Sequence, residues 1–397
     1  MVVCERTGDI IKLPTFEIFK IRLFSLFWGF WSLLKFSFKK LFTSSEKEYA
    51  VIGNPPSCLT DSSLGHHSYI KIKGVKFHYV EAGIKEQPLV ILLHGFPDFW
   101  ITWRNQIPEL SKHYRVVAVD LKGFGDSDKP ESRSNYGIKR IIDEINELIV
   151  FLGYKKCTLI GHDLGGFIGW LMVHLHPEIV HKFVAISAPH PNLYWSSFSN
   201  SSPFNVRWLQ FCQLPSLPEM ETLDNDLTVI NNVYGHLNNT VENKSFLNAY
   251  KYAFSRKEDW TGAINYFRTL SLWRVQAAEG SIDVSTLLIV GNQEPREFFE
   301  CVIRSTDYIE KYTLKVVENA SRYVHQEKPQ EVNKILINFL RGNQISVPTA
   351  KPPSNGLVNR VFGAVSNTLN YGNGVFGAVK KVNQTGLRAL TTHGNTS

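Results

Sequence analysis

The chain has 397 residues, of which 43% are hydrophobic and 20% are charged, a composition that supports a large buried core and excludes collagen, a pure coiled coil or a mostly disordered chain. The formal net charge is +7, but residues 1–42 carry +4 and residues 343–397 carry +5, which leaves −2 for the middle. The nearly neutral body gives no reason to expect nucleic acid as a partner, whereas the basic ends suit an anionic membrane surface.

The five cysteines are few, odd in number and widely spaced along the chain. This pattern argues against a disulfide framework and against a CxxC metal site. The histidines also lack a carboxylate or thiol at ligand spacing, so the sequence predicts neither a metal site nor a cofactor.

Residues 1–42 are predicted to be a membrane-anchor segment. The most hydrophobic run is 18–42, but only residues 23–34 are free of charge, and a helix of that length covers about 18 Å of a hydrocarbon core about 30 Å thick. A narrow polar stripe follows the helix at spacings of three or four, formed by Arg22, Ser25, Gly29, Ser32, Lys35 and Lys39. Three placements stay open: a span with snorkelling ends, a helix lying in the interface, or a helix packed on the protein itself. We expect membrane association, with the endoplasmic reticulum as the compartment.

Two further segments lack a hydrophobic period. Residues 43–67 are rich in Ser, Pro and Gly and indicate a linker. Residues 343–397 have no acidic residue and repeat VFGAV at 361–365 and 375–379. Two copies are too few for a solenoid, so the tail is predicted to be disordered, with a second membrane or partner contact as the alternative.

The middle of the chain predicts an α/β fold. Alternation over residues 69–83 favours two antiparallel strands, and short, unbroken apolar runs follow at 88–94, 115–120, 157–163, 182–187 and 286–291. Such runs between helical segments are typical of a mostly parallel sheet covered on both faces. The aromatic, helical stretch 189–276 predicts a cap domain inserted between core segments 68–188 and 277–342.

The strongest local motif is LIGHDLGG at 159–166, a strand followed by Gly-x-Asp-x-Gly-Gly and an apolar helix. It is typical of a nucleophile elbow with Asp163 in place of serine, which excludes a serine esterase. A carboxylate nucleophile suits opening an alkyl bond to form an ester that water then cleaves. The alternative is that Asp163 only caps the following helix.

The second motif, HGFPDFW, starts at His94 after an earlier strand. There Gly95 and Pro97 would shape a turn that points the Phe96 N–H at the same spot as the Leu164 N–H. Two such donors would form an oxyanion hole.

From about residue 69 to 340 the chain resembles the epoxide hydrolases of the α/β-hydrolase fold, closest to the membrane-anchored animal branch. The resemblance rests on HGFPDFW, DLKGFGDSD at 120–128, GHDLGG, APHPN at 188–192 and KPQEVNKILINFL at 328–340. It implies Asp163 as nucleophile and Phe96 and Leu164 as oxyanion donors. Haloalkane dehalogenases share the fold but place Trp directly after the nucleophile, where this chain has Leu164.

The resemblance also implies a general-base His seven residues before Pro329, and this chain has Arg322 there. A guanidinium cannot accept a proton from water at neutral pH. His325, about one helical turn further on, is the candidate side chain for a substitute base. The orienting acid corresponds to Glu294, which is expected to pair with Arg322.

Two cap tyrosines, which donate to the epoxide oxygen in the family, are replaced as well. The motif Asn-aromatic-Tyr-Arg reads Asn265-Tyr266-Phe267-Arg268, so Phe267 stands in the tyrosine position. Tyr266, one residue away, would face elsewhere on a helix. The other tyrosine corresponds to Trp208, counted back from Gln213.

Two hypotheses follow from these replacements. The first is a membrane-bound, epoxide-hydrolase-like protein that retains Asp163 and a pocket for apolar, lipid-like ligands but has lost most or all turnover. The second is an active epoxide hydrolase with a rewired base, His325 or bound water, and Tyr266 as the donor. A His325 imidazole within hydrogen-bond reach of Asp163 would favour the second.

Overall fold

The structure is a computed structural model that describes residues 9–42, 53–198, 204–235, 237, 241–276 and 282–342. The predicted tail, 343–397, lies outside the described residues, as do residues 43–52 of the predicted linker.

The described residues form ten strands and twelve α-helices. In chain order, the strands are β1 (Asp9–Lys12), β2 (His66–Ile72), β3 (Val75–Ala82), β4 (Leu89–Leu93), β5 (Arg115–Val119), β6 (Cys157–His162), β7 (Val180–Ile186), β8 (Trp273–Gln276), β9 (Thr286–Gly291) and β10 (Tyr312–Val317). The helices are α1 (Thr15–Phe42), α2 (Ile107–Leu110), α3 (Ile138–Phe151), α4 (Leu164–Leu175), α5 (Pro191–Tyr194), α6 (Val206–Phe211), α7 (Leu217–Tyr234), α8 (Val241–Ala253), α9 (Lys257–Leu270), α10 (Arg296–Arg304), α11 (Val324–Glu327) and α12 (Pro329–Leu340).

Eight strands form one sheet in the order β10-β9-β7-β6-β4-β5-β3-β2. The pairs β2–β3 and β3–β5 are antiparallel, and all the other neighbours in this sheet are parallel. Every residue of β4, β5 and β6 is buried, as expected for central strands covered on both faces. The predicted α/β fold with a mostly parallel sheet is therefore confirmed.

The helices that cover the sheet bury different amounts of their surface. In α3 the buried isoleucines and leucines recur at spacings of three and four, the pattern of a helix with one face on the core. In α4, by contrast, nearly every residue is buried, and the helix packs against β6 and β7. Packing along the whole helix fixes the position of its first turn, which directly follows Asp163.

The helices α5 to α9 lie between β7 and β9 in the chain, in the stretch for which a cap is predicted. Within it α7 packs against both α8 and α9. Arg268 of α9 forms a buried ion pair with Glu219 of α7, with its two terminal guanidinium nitrogens bonded to the carboxylate. This bidentate pair fixes the register of the two helices.

The N-terminal segment is docked on the cap. Strand β1 pairs antiparallel with β8, and α1 packs against α6. Ser25 and Gly29 of the polar stripe are buried, and the Trp28 indole N–H donates to Gln210 at 2.9 Å. Packing on the protein, one of the three predicted placements, is thus present along one face of α1. Among the described helices, none is both long enough and apolar enough to cross a bilayer.

The described part of the predicted linker is not free chain. Residues 57–59 and 62–64 form 3-10 turns, and the first of these turns packs against α8, where the Cys58 thiol donates to the Ser245 carbonyl at 3.6 Å. The residues without a hydrophobic period therefore still find partners, because a cap helix lies beside them.

Candidate active site

Asp163 stands at the sharp turn between β6 and α4. Its backbone has φ 48° and ψ −112°, a conformation that is strained for a non-glycine residue and typical of functional turns. Gly165 permits the turn, because a Cβ there would lie 2.1 Å from the Leu93 carbonyl oxygen. The Asp163 side chain makes no capping hydrogen bond to α4, so the alternative that it only caps the helix is wrong.

Three groups bind the Asp163 carboxylate. The Phe96 N–H donates to Oδ2 at 3.1 Å, and the Tyr194 hydroxyl donates to Oδ1 at 2.7 Å. The Arg322 guanidinium forms an ion pair with Oδ1 at 2.5 Å. Burial opposes ionisation, but Arg322 and these hydrogen bonds outweigh it and hold the pKa of Asp163 below its ordinary value. The carboxylate is therefore ionised at neutral pH and fully paired.

Arg322 occupies the position of the expected base and is turned toward the nucleophile. Its side chain is 30% exposed, and the guanidinium also lies over the Phe298 ring, 4.8 Å from its centroid. Burial disfavours the charge, but Asp163 and Glu294 raise the pKa of Arg322 above its ordinary value. The group stays charged and carries no lone pair with which to take a proton from water.

The predicted pairing of Glu294 with Arg322 is wrong for the described residues, because the guanidinium forms its ion pair with Asp163 instead. Glu294 is 9% exposed, and its Oε1 has no hydrogen-bond partner. Burial raises the pKa of Glu294 to about 7. At neutral pH Glu294 is therefore only partly ionised, whereas Asp163 is fully charged and attracts the guanidinium more strongly.

The raised pKa predicts a pH-dependent stability. Because the folded pKa of Glu294, about 7, exceeds its ordinary value of 4.5, the folded state keeps a proton that the unfolded chain releases, and stability falls as the pH rises through this window. Glu294→Gln removes the effect. We expect the unfolding free energy of the variant, minus that of wild type, to rise by about 1–3 kcal/mol as the pH is raised from 4.5 to above 7. Urea unfolding across this range measures the difference, and a constant difference would contradict the prediction.

His325, the candidate substitute base, is directed away from the nucleophile. Its Nε2 forms a hydrogen bond with the Thr102 hydroxyl at 2.7 Å, and its ring packs 4.8 Å from Trp103. Its Nδ1 has no hydrogen-bond partner among the described residues. The condition that would favour a rewired base, a hydrogen bond from His325 to Asp163, is therefore not met.

The two replaced cap positions meet above the turn at residues 95–97, the oxyanion turn, which carries the predicted oxyanion donor Phe96. Trp208 of α6 and Phe267 of α9 lie 5.4 and 4.7 Å from the Phe96 ring centroid and 5.0 Å from each other. Tyr266 instead faces Tyr136, at 5.1 Å, and is buried. Neighbouring residues on a helix point about 100° apart, so Tyr266 cannot replace the hydroxyl that position 267 lacks.

Hydrogen bonds of the His94 imidazole hold the oxyanion turn in place. Its Nε2 accepts from the Leu121 N–H at 3.0 Å, so its Nδ1 carries the proton that it donates to the Gly95 carbonyl at 2.8 Å. Burial lowers the pKa of His94 to about 4, which keeps the ring neutral. The following Phe96–Pro97 peptide is cis. Leu164 starts α4 beside Asp163 and is buried, and its role as second donor stays a prediction.

Sequence reasoning missed Tyr194 and Asp98. Tyr194 lies in α5, just after the motif APHPN, and no spacing rule connects it with Asp163 at the elbow, 31 residues earlier. Asp98 lies inside HGFPDFW and accepts from the Tyr250 hydroxyl of α8 at 2.9 Å. Burial raises the pKa of Asp98 to about 7, although bonds from the Phe99 N–H, the Thr102 hydroxyl and Tyr250 favour its ionised form.

Comparisons with known proteins agree with this geometry. The family model described as the alpha/beta hydrolase fold matches residues 88–329. The chain is 37% identical to human epoxide hydrolase 4 over 300 residues, covering 72% of this chain and 82% of that protein. It is 36% identical to epoxide hydrolase 3 of Xenopus tropicalis, covering 72% and 81%. Epoxide hydrolase A from Mycobacterium thermoresistibile superposes with a TM-score of 0.60 at 26% identity, covering 70% of this chain and 98% of that chain.

Proposed function

Since the chain belongs to the epoxide hydrolase family of the α/β-hydrolase fold, we propose that it is a member that binds apolar, lipid-like epoxides next to Asp163 but has lost most or all turnover. The observation that carries the proposal is the ion pair between Arg322 and Asp163 in the place where the family resemblance implies a general base. We further propose that this protein is attached to a membrane through α1.

The cap supports an apolar ligand. Phe96, Trp208, Phe267 and the nearby Phe204, with ring centroids 4.9 Å apart between Phe96 and Phe204, form an aromatic cluster above the oxyanion turn. Such a surface favours hydrocarbon and offers few polar partners. An epoxide carried on an aliphatic chain fits this chemistry better than a sugar or a phosphate.

Epoxide hydrolysis through an ester has two steps, and in this chain each step lacks a side chain that it needs. In the first, the carboxylate attacks an epoxide carbon, the C–O bond breaks, and the released alkoxide takes a proton from the cap donors. Phe267 has no proton to give. The negative charge of the Asp163 carboxylate is balanced by the Arg322 guanidinium, which makes Asp163 a weaker nucleophile. In the second, water attacks the ester carbonyl while a base takes its proton, and the diol leaves. Arg322 cannot take that proton.

The test is intact-protein mass after incubation with a long-chain aliphatic epoxide, with diol formation followed in parallel. We expect at most a slowly formed adduct of one ligand mass and no catalytic diol. Asp163→Asn, an isosteric control, should show no adduct. Diol in many turnovers from wild type, absent in Asp163→Asn, would overturn the proposal and favour an active hydrolase.

The surface of α1 supports the proposed membrane attachment. Its small and polar face is turned to the cap. Among the side chains that the structure describes on the rest of the helix, ten aromatic and aliphatic ones, including Phe27, Phe30 and Trp31, are about half exposed or more. A helix with its apolar face outward and basic residues near both ends is suited to the plane of an anionic membrane. The basic tail, 343–397, would be a second contact, and an internal membrane such as the endoplasmic reticulum is the proposed location.

Flotation with vesicles tests the attachment. We expect the full chain to float with phosphatidylcholine vesicles and more strongly when phosphatidylserine is added. A triple variant, Phe27→Ser, Phe30→Ser and Trp31→Ser, should bind at least about tenfold less, because each large side chain contributes about 1.5–3 kcal/mol on burial. Phe151→Ser, at an equally exposed aromatic residue on α3, is the matched control and should bind like wild type. Equal binding by the triple variant would show that α1 is not the contact.

A further inference from the structure

Three buried ligand atoms converge beneath the elbow. Asp98, His162 and His325 are all fully buried, and one ligand atom from each lies within 4.8 Å of the other two. Asp98 Oδ2, His162 Nδ1 and His325 Nδ1 also lack any hydrogen-bond partner among the described residues, with 3.9 Å between the first two. Three buried polar atoms without hydrogen bonds, this close together, reduce the stability of the fold unless a ligand or water lies between them.

The outer nitrogen of each imidazole already has a hydrogen-bond partner, and for His162 this partner fixes the tautomer. His162 Nε2 lies 3.0 Å from the Arg322 carbonyl oxygen. A carbonyl only accepts, so a neutral His162 carries its proton there, and its Nδ1 is a bare lone pair. His325 Nε2 lies 2.7 Å from the Thr102 oxygen, which also accepts from the Gln326 amide at 2.6 Å.

The Thr102 hydroxyl is compatible with either tautomer of His325, because its oxygen can accept from Nε2–H or its proton can be donated to a bare Nε2. When Thr102 accepts, His325 Nδ1 is a second bare lone pair, and metal binding requires this arrangement. With the carboxylate oxygen, three lone pairs then face one point, and a water molecule has only two hydrogens to offer them.

A cation satisfies all three atoms. At the centre of atoms spaced up to 4.8 Å apart it would lie within about 2.8 Å of each (4.8 Å divided by √3), and zinc bonds of about 2.0–2.2 Å require each side chain to move less than about 1 Å. Two imidazoles and one carboxylate are the donor set of divalent transition metals, and hydrogen bonds that hold the far imidazole nitrogens are the usual support of such ligands.

We propose that Asp98, His162 and His325 form a buried site for one divalent transition metal of the zinc class. The ligands come from the loop after β4, the end of β6 and α11, so their spacing along the sequence does not indicate a metal site. Because Asp98 also accepts from Tyr250 of the cap, a bound ion would join the core to the cap.

The experiment uses the untagged full chain, stripped with chelator and titrated with Zn²⁺ or Co²⁺. We expect about one metal per chain to remain after gel filtration, a visible Co²⁺ spectrum typical of fewer than six ligands, and a rise in melting temperature that chelator reverses. His325→Gln should weaken the affinity by at least about tenfold. His176→Gln, at a histidine near the surface that pairs with Glu178, is the matched control and should bind like wild type.

Two results would overturn the proposal. Wild type that retains no metal and shows no Co²⁺ spectrum would leave an ordered water as the occupant, and this result needs no variant. Retention that is equal in wild type, His325→Gln and Asp98→Asn would place the metal elsewhere. Asp98→Asn keeps the size of the side chain, so it serves as the second variant if His325→Gln does not fold.

Discussion

Arg322→His is expected to convert the protein from one that at most traps an epoxide into one that releases diol. The change removes the guanidinium that pairs with Asp163 at 2.5 Å and places an imidazole where the family resemblance implies the base. A histidine is shorter than an arginine, so room is left for a water molecule between the imidazole and an ester on Asp163. Glu294, whose Oε1 has no hydrogen-bond partner among the described residues, can then accept from the imidazole and orient it.

General-base catalysis contributes about 10²- to 10⁴-fold, and we expect ester hydrolysis in Arg322→His to rise by about that factor over wild type. Single-turnover kinetics separate this step from alkylation, because intact mass reports the ester and chromatography reports the diol. Alkylation should remain slow, since Phe267 still offers no proton. Adding Phe267→Tyr should accelerate alkylation without changing ester hydrolysis.

Arg322→Gln is the control that separates removal of the ion pair from gain of a base. It frees the Asp163 carboxylate but supplies no group that takes a proton from water. Ester should therefore accumulate in this variant while diol stays at background. Equal diol release from Arg322→Gln and Arg322→His would contradict the assignment of position 322 as the lost base site.

The strands of the sheet could be predicted from the sequence where both of their faces are buried. The unbroken apolar runs predicted β4, β5 and β6, whose residues are all buried. Strand β10 was missed because it is an edge strand, half-buried along most of its length, and its sequence YTLKVV is not continuously apolar. Strands β1 and β8 were missed because four residues carry too little pattern, and each is defined only by the other.

The site was predictable where function is local in sequence. The elbow around Asp163 and the turn at Phe96 each lie within one short motif, so spacing alone identified them. Counting from Pro329 identified Arg322 as a lost base, but its contact with Asp163 depends on the path of a long side chain in three dimensions. Tyr194 was missed for the same reason, because only the folded chain brings α5 to the elbow.

The second large effect is expected in the cap, from Arg268→Met. The Arg268 guanidinium donates to both oxygens of Glu219 at 2.8 and 3.0 Å and to the Cys212 carbonyl at 2.7 Å. Removing it leaves the Glu219 carboxylate buried and without its ion-pair partner, which typically costs about 3–5 kcal/mol. The change should also loosen Phe267, the preceding residue on α9, and with it the packing on Phe96. Urea unfolding and ligand affinity measure the two consequences.

Arg296→Met is the matched control, since Arg296 forms an ion pair with Glu300 on α10 with its side chain 64% exposed. An exposed pair of this kind contributes about 0.3–0.5 kcal/mol, so the same chemical change should have little effect there. The double variant Arg268→Met, Glu219→Met removes both buried charges and should be more stable than Arg268→Met alone, because the cost arises from the stranded carboxylate and not from loss of attraction. A double variant as unstable as the sum of its single changes would instead show that Arg268 acts through its bonds to the Cys212 carbonyl and its other backbone partners.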